Sequence, residues 1–291
     1  MSATTPSDAA YCAKLVRDTD FDRYAVTLFV QPERRDQLLA LYAFNTEIAR
    51  VREHVTQALA GEIRLQWWTD VLSGKSAGDA PGNPVAAQLL QTIESCGLST
   101  ASLSELIAAH RFDLYDEPML TAAEMEGFLD QTTGKLFLLG GRILGAGASG
   151  ERSSLLEALI HHASLAYGLT LLIEALPRHA ARAQLYLPLE LLDRFGVTTD
   201  SVFAGKSSRE LCRLVRSLAD DAAKELAEAM KLLPDIDQPT RASFLLLGLV
   251  PARLRRLDRD GYDPFRLAAL SRLSRLWALW RSARTRVFRR A

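Results

Sequence analysis

The stretch Leu38–Leu72, LLALYAFNTEIARVREHVTQALAGEIRLQWWTDVL, decides how this chain is read. Leu41, Phe44, Ile48, Val51 and Val55 recur at i, i+3, i+7, i+10 and i+14, the spacing of one helical face. The pattern predicts two amphipathic helices joined at Ala60–Gly61. Beside the apolar face runs a mixed stripe of Tyr42, Thr46, Ala49 and Glu53. Residues four apart share a helix face, so a pair of acids there can hold a divalent cation against a diphosphate. Here that pair is Ala49 and Glu53, and only one of them is a carboxylate.

Working outward, Phe21–Val30 (FDRYAVTLFV) is apolar enough for a short buried helix or strand, and Pro32 opens the long helix. The turn-rich run Gly74–Pro84 (GKSAGDAPGNP) reads as a loop. Helical periodicity resumes at Val85–Ser95 and at Ser102–Tyr115, the latter with Leu103, Leu106, Ile107, His110 and Leu114 on one side. Thr121 with Glu124 forms a capping box for a helix running through Gly134, Gly140 and Gly141. Arg152–Ala175 is a long apolar helix that Pro177 should end, and Ala180–Pro188 a connector. Ser207–Leu233 is amphipathic, and Pro239–Leu257 is a helix interrupted at Pro251. No segment alternates as a strand does. The expected fold is all-α, with a polar segment over residues 1–20, a helical domain over 21–263 and a basic amphipathic helix over 264–291.

Composition bounds the function. Hydrophobic residues make up 48% of the 291 and charged residues 24%, which suits a globular chain with a sizeable core. Thirty-five basic and 35 acidic residues cancel, but unevenly: the last 28 residues hold eight Arg and no acid. The acidic body and basic tail point to an anionic partner for the tail and away from nucleic acid. Cys12, Cys96 and Cys212 show no metal-type spacing and read as small buried hydrophobes in a reducing compartment. The N-terminal residues carry an early Asp and no apolar run, and no stretch approaches about 18 uninterrupted apolar residues. Neither a leader nor a membrane span is therefore expected.

Four blocks, in order, carry a family resemblance: DRYAVTLFVQPERRDQLLALYAF from Asp22, LQWW at Trp67–Trp68, AYGLT around Tyr167, and AARAQLYLP ending at Pro188. Together they resemble the squalene/phytoene synthase family, whose enzymes join two prenyl diphosphates head to head. The resemblance implies a single-domain isoprenoid-synthase-type helical bundle. It also implies two aspartate-rich motifs holding magnesium, since diphosphates in an apolar cavity need hard cations and carboxylates beside them. The family's first motif aligns its end aspartates with Ala49 and Glu53, around Arg50, Val51 and Arg52. Its second motif falls on Leu171, Glu174, Ala175 and His179, with Glu174 where a basic residue belongs. Three of the four expected aspartates are non-acidic, and imidazole is a poor magnesium ligand beside oxygen.

Several features have two readings. Glu47, Arg50, Glu53 and Glu174 are either structural charge pairs or a reworked polar site. His161 and His162, adjacent on one helix, point to different sides and do not make a metal site. His179 sits in a turn after Pro177. Trp67 and Trp68 read as core, with lipid contact the second reading, and Asp113 and Asp116 as a surface turn, with a polar pocket the second reading. In SRLSRLWALWRSARTRVFRR (271–290), Leu273, Leu276, Trp277, Trp280 and Val287 share one face, with Arg272, Arg275, Arg286 and Arg289 opposite. Arg281 and Arg284 fall near the apolar face. Such a helix either lies on an anionic membrane or docks on the acidic body.

The expectation is a family member without catalytic residues, metal or cofactor, acting in respiratory complex assembly or as a membrane-associated scaffold. It resembles the branch known as complex I assembly factors. Its expected partners are a respiratory complex subunit or assembly protein, an anionic membrane surface and an isoprenoid or quinone-like lipid. Its expected place is cytoplasmic, peripheral at the inner face of the membrane. The alternatives are a prenyl transferase with atypical ligands, which would need magnesium, and an isoprenoid-binding carrier.

Overall fold

The computed structural model describes residues 7–75, 82–145, 151–285 and 287–288, the side chains of 151 and 152 excepted. Among the described residues every regular element is helical and none is a strand. The run Gly74–Pro84 therefore lies mostly outside the described residues. Two compact units divide the chain, each drawn from separated segments.

The first unit comprises residues 1–115, 135–147 and 238–243. Its helices are α1 (Asp8–Thr19), α2 (Phe21–Thr27), α3 (Pro32–Ala49), α4 (Ala58–Leu72), α5 (Pro84–Cys96) and α6 (Thr100–Ala109), with α8 (Lys135–Leu144) and the short α13 (Gln238–Arg241). The polar start of the sequence thus contains α1, which packs on α3 and α5 and buries Cys12 and Val16. Leu41, Phe44, Ile48 and Val51 are buried together with Leu65 and Trp68, and the Phe44 ring meets Trp68 edge to face at 4.9 Å. Burial pushes the Tyr42 phenol up to about 12, despite the opposing Arg23 guanidinium over its ring.

Two boundaries in this unit differ from the sequence pattern. The α-helix stops at Ala49, and Arg50 leaves helical geometry at φ −103°, ψ 7°. Val51–His54 then tightens into a 3₁₀ turn that still returns Val51 to the core. The join comes before Ala58, so Gly61 lies inside α4. A Cβ at Gly61 would stand 2.4 Å from a methyl of Leu114, so this glycine permits close packing and does not break the helix. Ser102–Tyr115 likewise splits into α6 and a 3₁₀ turn, Phe112–Leu114.

The second unit comprises residues 116–134, 148–237 and 244–291. It contains α7 (Ala122–Leu129), α9 (Glu151–Ala180), α10 (Leu189–Phe195), α11 (Thr199–Phe203), α12 (Arg209–Leu232), α14 (Val250–Arg259) and α15 (Arg272–Ala283). Half of the capping box at α7 forms as expected, Thr121 accepting from the Glu124 amide at 3.2 Å, while the Glu124 carboxylate reaches past the N-cap to accept from Leu120 N at 2.7 Å. Between α7 and α8 lies a π-helical turn, Asp130–Gly134, which the glycine pattern did not disclose. The 30-residue α9 is the unit's axis, packed by α7, α12 and α14. By length and composition it is the one described helix able to cross a bilayer, yet 67% of its apolar window is buried, as suits a core helix.

Pro177 does not end α9, which continues to Ala180. Its ring nitrogen cannot donate to the Ile173 carbonyl four residues back, so one bond of the ladder is lost and only three residues follow before the helix ends. Pro251, read as an interruption, is instead the second residue of α14, a position without need of an N–H donor.

The cysteines are thiols of unequal access. Cys12 is fully buried and its thiol is pushed up to about 12, chiefly by burial and then by Asp8, whereas Cys96 and Cys212 are half-buried. Alkylation at pH 8 should therefore spare Cys12 until the protein unfolds; mass-spectrometric labelling with and without urea checks this.

Candidate functional site

The first-motif positions sit where α3 ends. Because the α-helix stops at Ala49, Ala49 and Glu53 are not an i, i+4 pair on one α-helical face, contrary to the sequence reading. Glu53 accepts from Arg50 Nε at 2.7 Å, with Arg50 39% and Glu53 20% exposed. The pair spans three residues within one turn, the geometry of a local charge pair. Glu47 is half-buried on α3.

The second-motif positions lie on the C-terminal half of α9. Tyr167, Thr170 and Glu174 recur at helical spacing and face α14, which supplies Arg253. The Arg253 guanidinium pairs electrostatically with Glu174, its Nε 3.0 Å from Oε2, donates from Nη1 to Thr170 Oγ1 at 3.5 Å, and lies 4.9 Å from the Tyr167 ring centroid. Arg253 is 3% exposed and Tyr167 1%, so the cation is enclosed and must be neutralised. The sequence places an acid where the family places a base, and the structure shows a base arriving from another helix to meet it. Ala175 is half-buried. His179 is not in a turn but in the last turn of α9, its ring 4.4 Å from Tyr186 and its carbonyl accepting from Arg182 and Gln184 at 2.9 Å.

The adjacent histidines divide as expected. His161 bonds Asp130 at 2.8 Å and His162 bonds Glu225 of α12 at 2.6 Å. Asp130 also accepts from Ser164 Oγ, and a Cβ at Gly134 in the same π-turn would stand 3.3 Å from a methyl of Ile160. In the first unit His110, buried, bonds Asp113 at 2.7 Å, so Asp113 belongs to an enclosed pair and not to a surface turn. No motif links Arg253 to α9 or Asp130 to Ser164, because each contact joins segments far apart in sequence, whereas His110 and Asp113 are only three residues apart and read separately in the sequence. Among the described residues no group of three or more His, Cys, Asp or Glu could hold a metal.

Magnesium requires oxygen ligands in near-octahedral order. Ala49 and Ala175 offer no side-chain ligand atom, Glu53 and Glu174 are each engaged by an arginine, and His179 offers only nitrogen. The residues present do not fit the ion.

At the C-terminal end, α15 buries Ala278 and Leu279 and leaves Leu273, Trp277 and Trp280 at 78%, 57% and 44% exposure. Docking on the body and presenting an apolar face are therefore compatible. The arginines sort differently from the sequence wheel. Arg275 is half-buried and donates from Nε to the Leu270 carbonyl at 2.9 Å, so it anchors the helix. Arg272 is exposed, and Arg286 and Arg289 lie outside the described residues. Arg281 and Arg284, which looked like flaws in the apolar face, stack on Trp277 and Trp280 at 4.8 and 4.1 Å.

Comparison with known proteins agrees with this architecture. A squalene synthase from Alicyclobacillus acidocaldarius superposes with a TM-score of 0.74 at 23% identity, covering 88% of this chain and 95% of that one. A dehydrosqualene synthase in complex with ligand gives 0.80 at 18% identity, covering 94% and 95%. In sequence, a mouse (Mus musculus) protein named "NADH dehydrogenase (ubiquinone) complex I, assembly factor 6" is 24% identical over 260 residues, 89% of this chain and 77% of that one. The 15-cis-phytoene synthase of Synechocystis is 22% identical over 250 residues, 83% and 74% of the two chains. The model described as "Squalene/phytoene synthase" matches residues 16–280, so the chain belongs to the squalene/phytoene synthase family.

Proposed function

We propose that this protein acts in the assembly of respiratory complex I, as a folded binding partner that does not carry out prenyl-diphosphate condensation. The observation that carries the second half is the Glu174–Arg253 pair: the position that should help hold a diphosphate is closed by an internal ion pair, with alanine beside it at 175. The first half is supported by relatives in mouse, human, fly and Dictyostelium whose names are those of complex I assembly factor 6 or its homologue. Its place would be peripheral, at the inner face of the membrane where such a complex is built, and its partner a subunit or another assembly protein. An isoprenoid or quinone-like lipid is a second candidate ligand, on the strength of the fold alone.

Deleting the gene in its source cell should lower the amount of assembled NADH–quinone oxidoreductase on native gels, and the full chain should restore it. Normal assembly in the deletion strain would remove the proposal. Extraction of the purified protein followed by mass spectrometry distinguishes a lipid carrier, which would bring down a stoichiometric isoprenoid.

A further inference from the structure

The groove between α14 and α15 combines features that neither the fold nor the assembly reading requires. It encloses about 690 Å³, with a floor of Ala252, Leu270, Leu273 and Trp277 and with Arg255 and Arg259 at its rim. Both rim arginines are exposed. The acid in the lining, Asp258, is engaged by the Tyr262 hydroxyl at 3.0 Å. Along the outer edge, Arg281 and Arg284 lie over the exposed indoles of Trp277 and Trp280. Among the described residues none of these four arginines has a carboxylate partner, and the last 28 residues of the chain contain no acid at all.

We propose that this face is a docking surface for a bilayer carrying anionic phospholipids. The apolar groove and the two indoles would enter the headgroup–acyl boundary, and the four guanidinium groups would meet lipid phosphates. Tryptophan suits that depth because its ring is apolar and its N–H is a donor, and stacked arginines keep their charge at headgroup level. Charge complementarity selects the occupant: a neutral apolar protein surface would leave four cations desolvated without partners.

The mount is rigid, which separates this device from a free amphipathic tail. Ala278 and Leu279 are buried, Arg275 clamps the Leu270 carbonyl, and Gly248 gives passage to Ser282, whose Oγ would lie 2.3 Å from a Cβ at that position. The helix therefore presents one face without having to fold on the membrane, which lowers the ordering cost of binding. The inference rests on this face alone and stands whether or not the assembly reading survives.

Flotation of the full chain with vesicles tests it. Vesicles of phosphatidylcholine with 30% phosphatidylglycerol should carry the protein, and phosphatidylcholine alone should not. Each unit of charge near an anionic surface contributes roughly fivefold in affinity, so Arg255→Glu/Arg259→Glu, a change of four charges, should weaken binding by several hundredfold. Trp277→Ala/Trp280→Ala should weaken it at least tenfold at unchanged net charge. All four positions are exposed, so circular dichroism and thermal midpoint should stay as in the parent. Equal binding to both vesicle types, or full binding by the charge-reversed variant, would overturn the proposal. So would retention on a polyglutamate resin that the same variants abolish, if the protein ignores anionic vesicles, since that marks an acidic protein surface as the partner.

Discussion

Replacing Phe44 with alanine should lower the unfolding free energy by about 3–5 kcal/mol, the cost of a large aromatic removed from a site that cannot collapse. Phe44 is 0% exposed and sits among Leu41, Ile48 and Leu65, with Trp68 packed edge to face against it. The edge-to-face geometry adds about 1 kcal/mol beyond burial. Urea denaturation followed by tryptophan fluorescence reads the loss, and also the changed surroundings of Trp68. A variant within about 1 kcal/mol of the parent would mean that α3 and α4 do not share the core described for the first unit.

Replacing Glu174 with leucine should destabilise the protein by about 3 kcal/mol, because it strands the guanidinium of Arg253 inside the second unit. Thr170 and Tyr167 remain as partial partners and keep the cost from rising further. Removing both charges, Glu174→Leu with Arg253→Met, should recover most of that loss, since an apolar pair of similar volume often replaces a buried ion pair at little cost. The double-mutant comparison distinguishes a structural pair from two independent residues. If Glu174→Leu unfolds at the parent's midpoint, the pair is not what holds α14 against α9, and the site is open to another role.

Much of the fold could be read in advance because period is a strong signal. Leu41, Phe44, Ile48 and Val51 announced a buried helical face, and the structure buries all four. The misreadings concern residues whose meaning depends on what lies opposite. Gly61 has the composition of a break, but its use is to admit Leu114, which is far along the chain. Pro177 and Pro251 mark helix ends, yet which end, and whether inside or outside the helix, depends on where the hydrogen-bond ladder begins or stops. The π-turn at Asp130–Gly134 has no periodic signature because it is one displaced turn within helical sequence.

The site was legible as a deficit. Ala49 and Ala175 can be counted as missing acids without any structure, whereas Arg253 cannot be linked to Glu174 by spacing. Only the packing of α14 on α9 makes the pair. The C-terminal arginines teach the same point. On a helical wheel Arg281 and Arg284 spoil an apolar face, but with Ala278 and Leu279 turned inward they become the charged partners of exposed indoles.

The central claim is that a squalene/phytoene synthase fold persists here without the family's metal-held diphosphate chemistry. Incubating the purified full chain with magnesium and farnesyl or geranylgeranyl diphosphate, and measuring pyrophosphate release, tests it most directly. The account predicts release no greater than in a protein-free control, for the parent and for Glu53→Ala alike. Magnesium-dependent release by the parent that Glu53→Ala abolishes would contradict it.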